Sequence, residues 1–323
     1  MSSHIAELWS TGQDVPWWRA GDDAALALVC LAELNRRGLE GVDDGWEGHP
    51  MLAAARWILS GPARRGLEEL AEVGEPPVRV NGCGIVRSVL AMVANASTSP
   101  GRIASGFREH FEDEVVLTAV QRLRERDAHA ILLPAMAGPA RHLLARTVAV
   151  AGSDGDLDDE REAVGVVLRG LGLPDRTGAH LDALPGPALW RLAVLDHLVA
   201  HRSSRAVALG WLVAADALAA AGRFVTGDAL RTRGFDAATA TAWDVCVIGQ
   251  MTTLEAAEHL VETEPRLASD VLLGARACVT AGAAVDGAIE HAQELRLRAA
   301  ATPPDIPDHP DHPTPLIPTE GLS

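Results

Sequence analysis

The sequence predicts an all-α fold, and three observations carry that prediction. Apolar residues recur at intervals of three and four, the spacing of one helix face, in Ala- and Leu-rich segments. Runs that alternate apolar and polar residues, as a half-buried strand requires, are nearly absent. Gly and Pro divide the apolar segments at points suited to helix ends. In order, helices are expected over about 22–37, 51–59, 63–73, 83–95, 101–125, 128–135, 138–151, 158–171, 187–200, 203–221, 226–232, 236–262, 265–282 and 284–300. No fixed-period repeat occurs, which disfavours a solenoid.

Start and stop chemistry supports several of these elements. Asp22 is placed to cap the first helix, which ends before Gly38. Pro62 stands where a first-turn proline is tolerated. Asn81-Gly82-Cys83-Gly84 reads as a turn opening a helix, with an anion-binding N-terminus as its functional alternative. Ser153-Asp154-Gly155-Asp156 is a polar loop, and Asp236 after Gly234-Phe235 is a cap candidate. The break Gly74-Glu75-Pro76-Pro77 suggests a helical extension over 1–75 and a bundle over 76–301. The Pro-rich stretch 302–323 cannot bury a core and is expected to be disordered.

Composition narrows the function classes. At 323 residues and 48% hydrophobic, the chain can build a sizeable core. A net charge of −16 without an Arg stripe argues against nucleic acid as a partner. All 28 basic residues are Arg, and Tyr is absent, so neither a Schiff-base lysine nor a phenolic acid is available. Cys30, Cys83, Cys246 and Cys278 form no C-x-x-C pair, which fits a reduced compartment. Residues 1–16 lack the layout of a signal peptide, and the apolar runs read as shorter than the ~20 residues a bilayer span needs. The expectation is a soluble cytoplasmic protein without a membrane partner. The tryptophans at 9, 17, 18, 46 and 57 can pack on the bundle or on a second copy in a homo-oligomer.

One group of motifs points to a family. Arg205 to Asp216 is a small-residue helix holding Gly210 and closing on a carboxylate. Leu168-Arg169-Gly170-Leu171-Gly172-Leu173-Pro174 precedes it, and Leu230–Phe235 and Val271-Leu272-Leu273-Gly274-Ala275 follow. In order and spacing these resemble the iron-containing redox enzymes with a haem-oxygenase-like fold, over residues 105–298. The resemblance implies a helical bundle in which carboxylates and imidazoles hold iron and leave positions open for oxygen. It places Asp216 as a ligand. It also implies a His-x-x-x-Asp-x-x-His helix, whose positions hold Cys246, Gln250 and Thr253 here. Ala149 and Ala151 stand where a Glu is implied, and Glu160 falls near an implied His. The expected function is a small-molecule- or partner-binding helical protein with a lost or remodelled metal site, needing no cofactor.

The alternative is an active non-haem iron oxidase or oxygenase. Glu255 and His259, four apart on a helix, would join Asp216 there, with Glu112 or Glu114 and Glu160 as further ligands. Against it, Glu255 to Glu264 reads equally as a solvated face. Asp286, Glu290 and His291 form a similar group. A further alternative is a terpene-type lyase, because Asp158, Asp159 and Glu162 fit a D-D-x-x-E magnesium motif. An acidic first helical turn explains the same residues without metal. His197 and His201, beside Asp196, have metal-ligand spacing, yet Arg202 and Arg205 suggest a helix-end cluster. His309 and His312 lie in the Pro-rich stretch. Cys246 reads as a small apolar core residue before it reads as a nucleophile.

Overall fold

The computed structural model describes residues 22–37, 49–72, 81–97, 111–136, 154–176, 179–181, 184–222, 224–248 and 252–301. Within these, side chains are described except at 22, 33–37, 97, 133–136, 154–160, 248, 252 and 292–301. The protein is all-α, and no strand occurs among the described residues. Twelve α-helices are described: α1 (Asp22–Arg37), α2 (Pro50–Leu59), α3 (Gly61–Glu72), α4 (Gly82–Ser97), α5 (Phe111–Met136), α6 (Asp154–Gly170), α7 (Gly186–Ala200), α8 (Arg205–Ala220), α9 (Gly227–Thr232), α10 (Ala237–Ile248), α11 (Thr252–Thr263) and α12 (Ala268–Ala301).

α7 and α8 are apolar around nearly their whole circumference, the signature of a helix buried on all sides. α8 is the hub, and α4, α5, α7, α10, α11 and α12 pack around it. The closest neighbour is α12. At their crossing, a Cβ on Gly210 would fall inside van der Waals contact of the Val271 carbonyl. A Cβ on Gly274 would meet the Val207 carbonyl in the same way. The two glycines let the backbones touch, and Trp190, Trp211 and Trp243 are fully buried in the surrounding core.

Chain punctuation follows local chemistry. Asn81 caps α4 through its side-chain oxygen, which accepts from the Gly84 N–H at 2.8 Å. Gly172, at φ +73°, ends α6, and the Leu173 N–H reaches back to the Leu168 carbonyl at 2.9 Å. Asp236 caps α10 by accepting from the Thr239 N–H at 2.9 Å and its hydroxyl at 2.6 Å. Asp236→Ala is expected to lower stability by about 1 kcal/mol in urea unfolding, with the fold intact by circular dichroism.

α6 begins at Asp154, inside the stretch expected as a polar loop, and three divisions between helices differ from the sequence expectation. Residues 111–136 form one helix, not two meeting near 126. Arg126 and Asp127 look like a polar interruption, but Arg126 donates to the Val245 carbonyl at 2.8 Å and Asp127 pairs with Arg161 at 2.7 Å. Residues 237–263 form two helices, α10 and α11, rather than one. Residues 268–301 form one helix through Ala281-Gly282-Ala283, because Gly282 lies against the Arg191 side chain, where a larger residue would crowd it.

The last helix also corrects the reading of apolar runs. Pro265–His291 spans 27 residues with a mean hydropathy of 1.3, enough in length and composition for a bilayer. In the fold, Val271, Ala275, Cys278, Ala281 and Val285 form a buried stripe along it. The expected helix at 138–151, the expected boundary near 74–77 and the stretch 302–323 lie outside the described residues. On either side of that boundary, α1 packs on α7 and α3 packs on α12.

Candidate functional site

The site grows from a conflict in α7 and α8. Arg191 is one charge within an apolar helix, and Asp216 is another. Packing both helices centrally puts both charges in the core, where each requires a partner. α5 supplies the partners. Its Arg122, Glu125 and His129 lie three and four residues apart and so share a face.

The four ions form a chain. Arg191 Nη2 donates to Glu125 Oε1 at 2.8 Å. Arg122 Nη1 donates to Glu125 Oε2 at 2.5 Å, and Arg122 Nη2 donates to Asp216 Oδ1 at 2.8 Å. The Thr253 hydroxyl of α11 donates to Asp216 Oδ2 at 2.7 Å, and His129 Nε2 lies 3.5 Å from the same oxygen. Arg122 and Thr253 are fully buried, Glu125 is 1% exposed and Asp216 is 7% exposed. Two guanidiniums face two carboxylates, with the His129 imidazole beside Asp216. Arg191 also borders a cavity of about 20 Å³ with Gln121 and Asp286, room for about one water.

The electrostatics keep these charges in place. Burial alone would raise the Asp216 carboxyl, but His129 and Arg122 outweigh it and hold the group well below the usual carboxylate range. Desolvation opposes the Arg122 charge, and Glu125 and Asp216 overcome that opposition. Cys246 of α10 is buried within electrostatic reach of Arg122. Burial pushes the Cys278 thiol up to about 12 despite Arg191, so it stays protonated and is no nucleophile.

The residues singled out in the sequence go to different places. Asp216 sits in the network, and Cys246 and Thr253 come to its surroundings. Gln250, Ala149 and Ala151 lie outside the described residues. Glu255 is exposed, while Thr253, two positions earlier, is buried against Asp216. Two residues turn a helix by about 200°, so Glu255 points away from Asp216. His259 is part-buried, and its own carbonyl accepts from Thr263. Glu112 is exposed in the first turn of α5. Glu160 lies on α6 beside Asp158 and Asp159, with all three side chains outside the described set. Glu162 is exposed and accepts from Arg169 at 2.7 Å. The structure therefore does not bring Glu255, Glu112 or Glu162 to Asp216.

The resemblance implies iron at this donor set, whose chemistry opposes it. Both Asp216 oxygens are engaged, one by a guanidinium and one by a hydroxyl. A fixed positive charge beside the carboxylate opposes a cation there. Among the described residues, no group of three or more His, Cys, Asp or Glu side chains is arranged to hold a metal ion. The described residues around Asp216 do not fit a dimetal centre.

The network residues not singled out in the sequence are Arg122, Glu125, His129 and Arg191. The run Gln121-Arg122-Leu123-Arg124-Glu125-Arg126-Asp127 distributes charge around the helix and resembles a solvated segment. The usable signal lay elsewhere, in the single Arg191 of Trp190-Arg191-Leu192 and the single Asp216 of α8. Charges of opposite sign in two apolar helices require buried counter-ions. No protein-family model, curated protein or solved structure matches the chain.

Proposed function

We propose that this is a haem-oxygenase-like helical protein in which a buried arginine–carboxylate network has replaced the metal centre, and that it works by binding a small molecule or a partner. The observation that carries this reading is the Arg122 guanidinium on Asp216 at 2.8 Å, with both groups buried. The guanidinium supplies the positive charge that a metal would otherwise bring to the carboxylate. Thr253 and Cys246, which stand at positions where the resemblance implies ligands, lie close to Asp216 and Arg122, supporting the same register. Glu125 and His129 add carboxylate and imidazole, but Glu125 is spent on Arg122 and Arg191.

Protein purified with ferrous iron supplied anaerobically is expected to carry no stoichiometric iron in elemental analysis. Stoichiometric iron that disappears in Asp216→Ala would overturn the reading. It would favour an oxidase using Asp216 with Glu125 and His129.

A further inference from the structure

A second concave site lies away from the ion network, between α1, α2, α5 and the end of α7. Its volume is about 180 Å³, and Leu28, Ile131 and Val199, from three helices, are among its apolar walls. Ile131 and Ala200 are exposed, so the rim reaches solvent. A dry cavity of about 150 Å³ accommodates one benzene ring, so this pocket takes a single ring with one small substituent.

The polar part of the lining selects the substituent. Arg56 and Asp196 bring one charge of each sign. Arg56 donates to the Leu31 carbonyl at 3.2 Å, Asp196 pairs with Arg124 at 3.7 Å, and both are engaged by further groups as well. Both groups already have partners in the fold, so a charged guest would shed its hydration here without gaining a dedicated counter-ion. The imidazoles of His197 and His201 also line the pocket, with ring centroids 4.4 Å apart. His201 Nδ1 donates to the His197 carbonyl at 2.7 Å, since a carbonyl only accepts, and in the neutral ring this leaves Nε2 as an acceptor. Burial, with His201 and Arg64 beside it, lowers the His197 imidazole to about 4, so that ring is neutral and holds one acceptor nitrogen. Neither ring nitrogen of His197 has a hydrogen-bond partner among the described residues.

A chamber of one-ring size, with apolar walls and two acceptor nitrogens on neighbouring imidazoles, matches one ligand chemistry. We propose that this pocket binds a compact, uncharged single-ring compound that donates one hydrogen bond, a phenol in its simplest form. The ring fills the apolar chamber, and the hydroxyl donates to an imidazole nitrogen of His197 or His201. The proposal rests on the binding-protein reading above and gives it a ligand class. It differs from the metal question in both place and test.

Calorimetric titration of the full chain at neutral pH with phenol, toluene and benzoate tests it. Toluene has the size of phenol without the donor, and benzoate carries a charge. Phenol is expected to bind one site per chain, about tenfold more tightly than toluene, the worth of one hydrogen bond, with benzoate weakest. In the double variant His197→Leu, His201→Leu, phenol should fall to the affinity of toluene while toluene still binds. Ala200→Trp, at an exposed position on the rim, should abolish phenol binding and leave the circular dichroism spectrum unchanged. Ala32→Phe blocks the pocket from the facing helix if Ala200→Trp disturbs folding. Absence of phenol binding, equal binding of phenol and toluene, tighter binding of benzoate than of phenol, or phenol binding unaffected by both blocking variants would overturn the proposal. The comparison of the three probes on the unaltered chain stands whether or not a variant folds. None of those results bears on iron, so a failed ligand class and a failed metal-free reading remain distinguishable.

Discussion

Arg122→Met is expected to lower folding stability by about 3–5 kcal/mol, the range for breaking a buried ion pair by removing one partner. The loss comes from what remains. Glu125 and Asp216 stay buried, with one guanidinium, Arg191, and the His129 imidazole left beside them. The guanidiniums against the two carboxylates fall from two to one in a region with almost no access to water. Asp216→Leu alone leaves the opposite imbalance and an unpaired Thr253 hydroxyl. The double variant removes one charge of each sign and leaves the Arg191–Glu125 pair intact. It should therefore be less destabilised than the sum of the single variants, with a coupling of about 2 kcal/mol or more. Urea unfolding at neutral pH, followed by circular dichroism, measures all three. Strict additivity would mean that Arg122 and Asp216 do not stabilise each other.

Gly210→Ala should have a comparable effect, about 3 kcal/mol, at the upper end for overpacking. The added methyl meets a backbone carbonyl on α12, not the end of a flexible side chain. No rotamer change relieves that contact, so α8 and α12 must separate along the seam where the hub meets the longest helix. Gly274→Ala presses on the same seam from the other side, against the Val207 carbonyl. Either variant opens the gap that the other needs, so together they should cost less than the sum of their single effects. Gly287, also in α12, provides the control, because a Cβ added there would meet nothing within 4 Å. Gly287→Ala should be neutral or slightly stabilising, because alanine favours a helix by up to about 1 kcal/mol over glycine. Destabilisation by Gly287→Ala equal to that of Gly210→Ala would mean helix propensity, not helix contact, governs both.

Helix periodicity and end chemistry made the all-α class legible, and Asn81, Gly172 and Asp236 show why. Their roles depend on residues within a turn or two, and local spacing reveals them. The unbroken α5 was not legible, since Arg126 and Asp127 look like a solvent-facing break until α10 and α6 supply partners. The same limit governed the site. Asp216 stood out as one carboxylate in an apolar helix, and Thr253 followed from a position in the resemblance. Arg122 lies 94 residues from Asp216 in the chain. No local pattern reveals that pairing, because three-dimensional packing alone decides which charged face of α5 turns inward. Glu255 and His259 had suitable spacing for a metal, but spacing does not say which way a helix faces.

The central claim is that a guanidinium, not a metal, balances Asp216. The most direct measurement is an anomalous difference map at the iron edge from crystals grown anaerobically with excess ferrous iron. The expected map shows Arg122 Nη2 on Asp216 Oδ1, Thr253 on Oδ2 and no anomalous peak in the network. An iron peak ligated by Asp216, with Arg122 swung away from it, would contradict the claim.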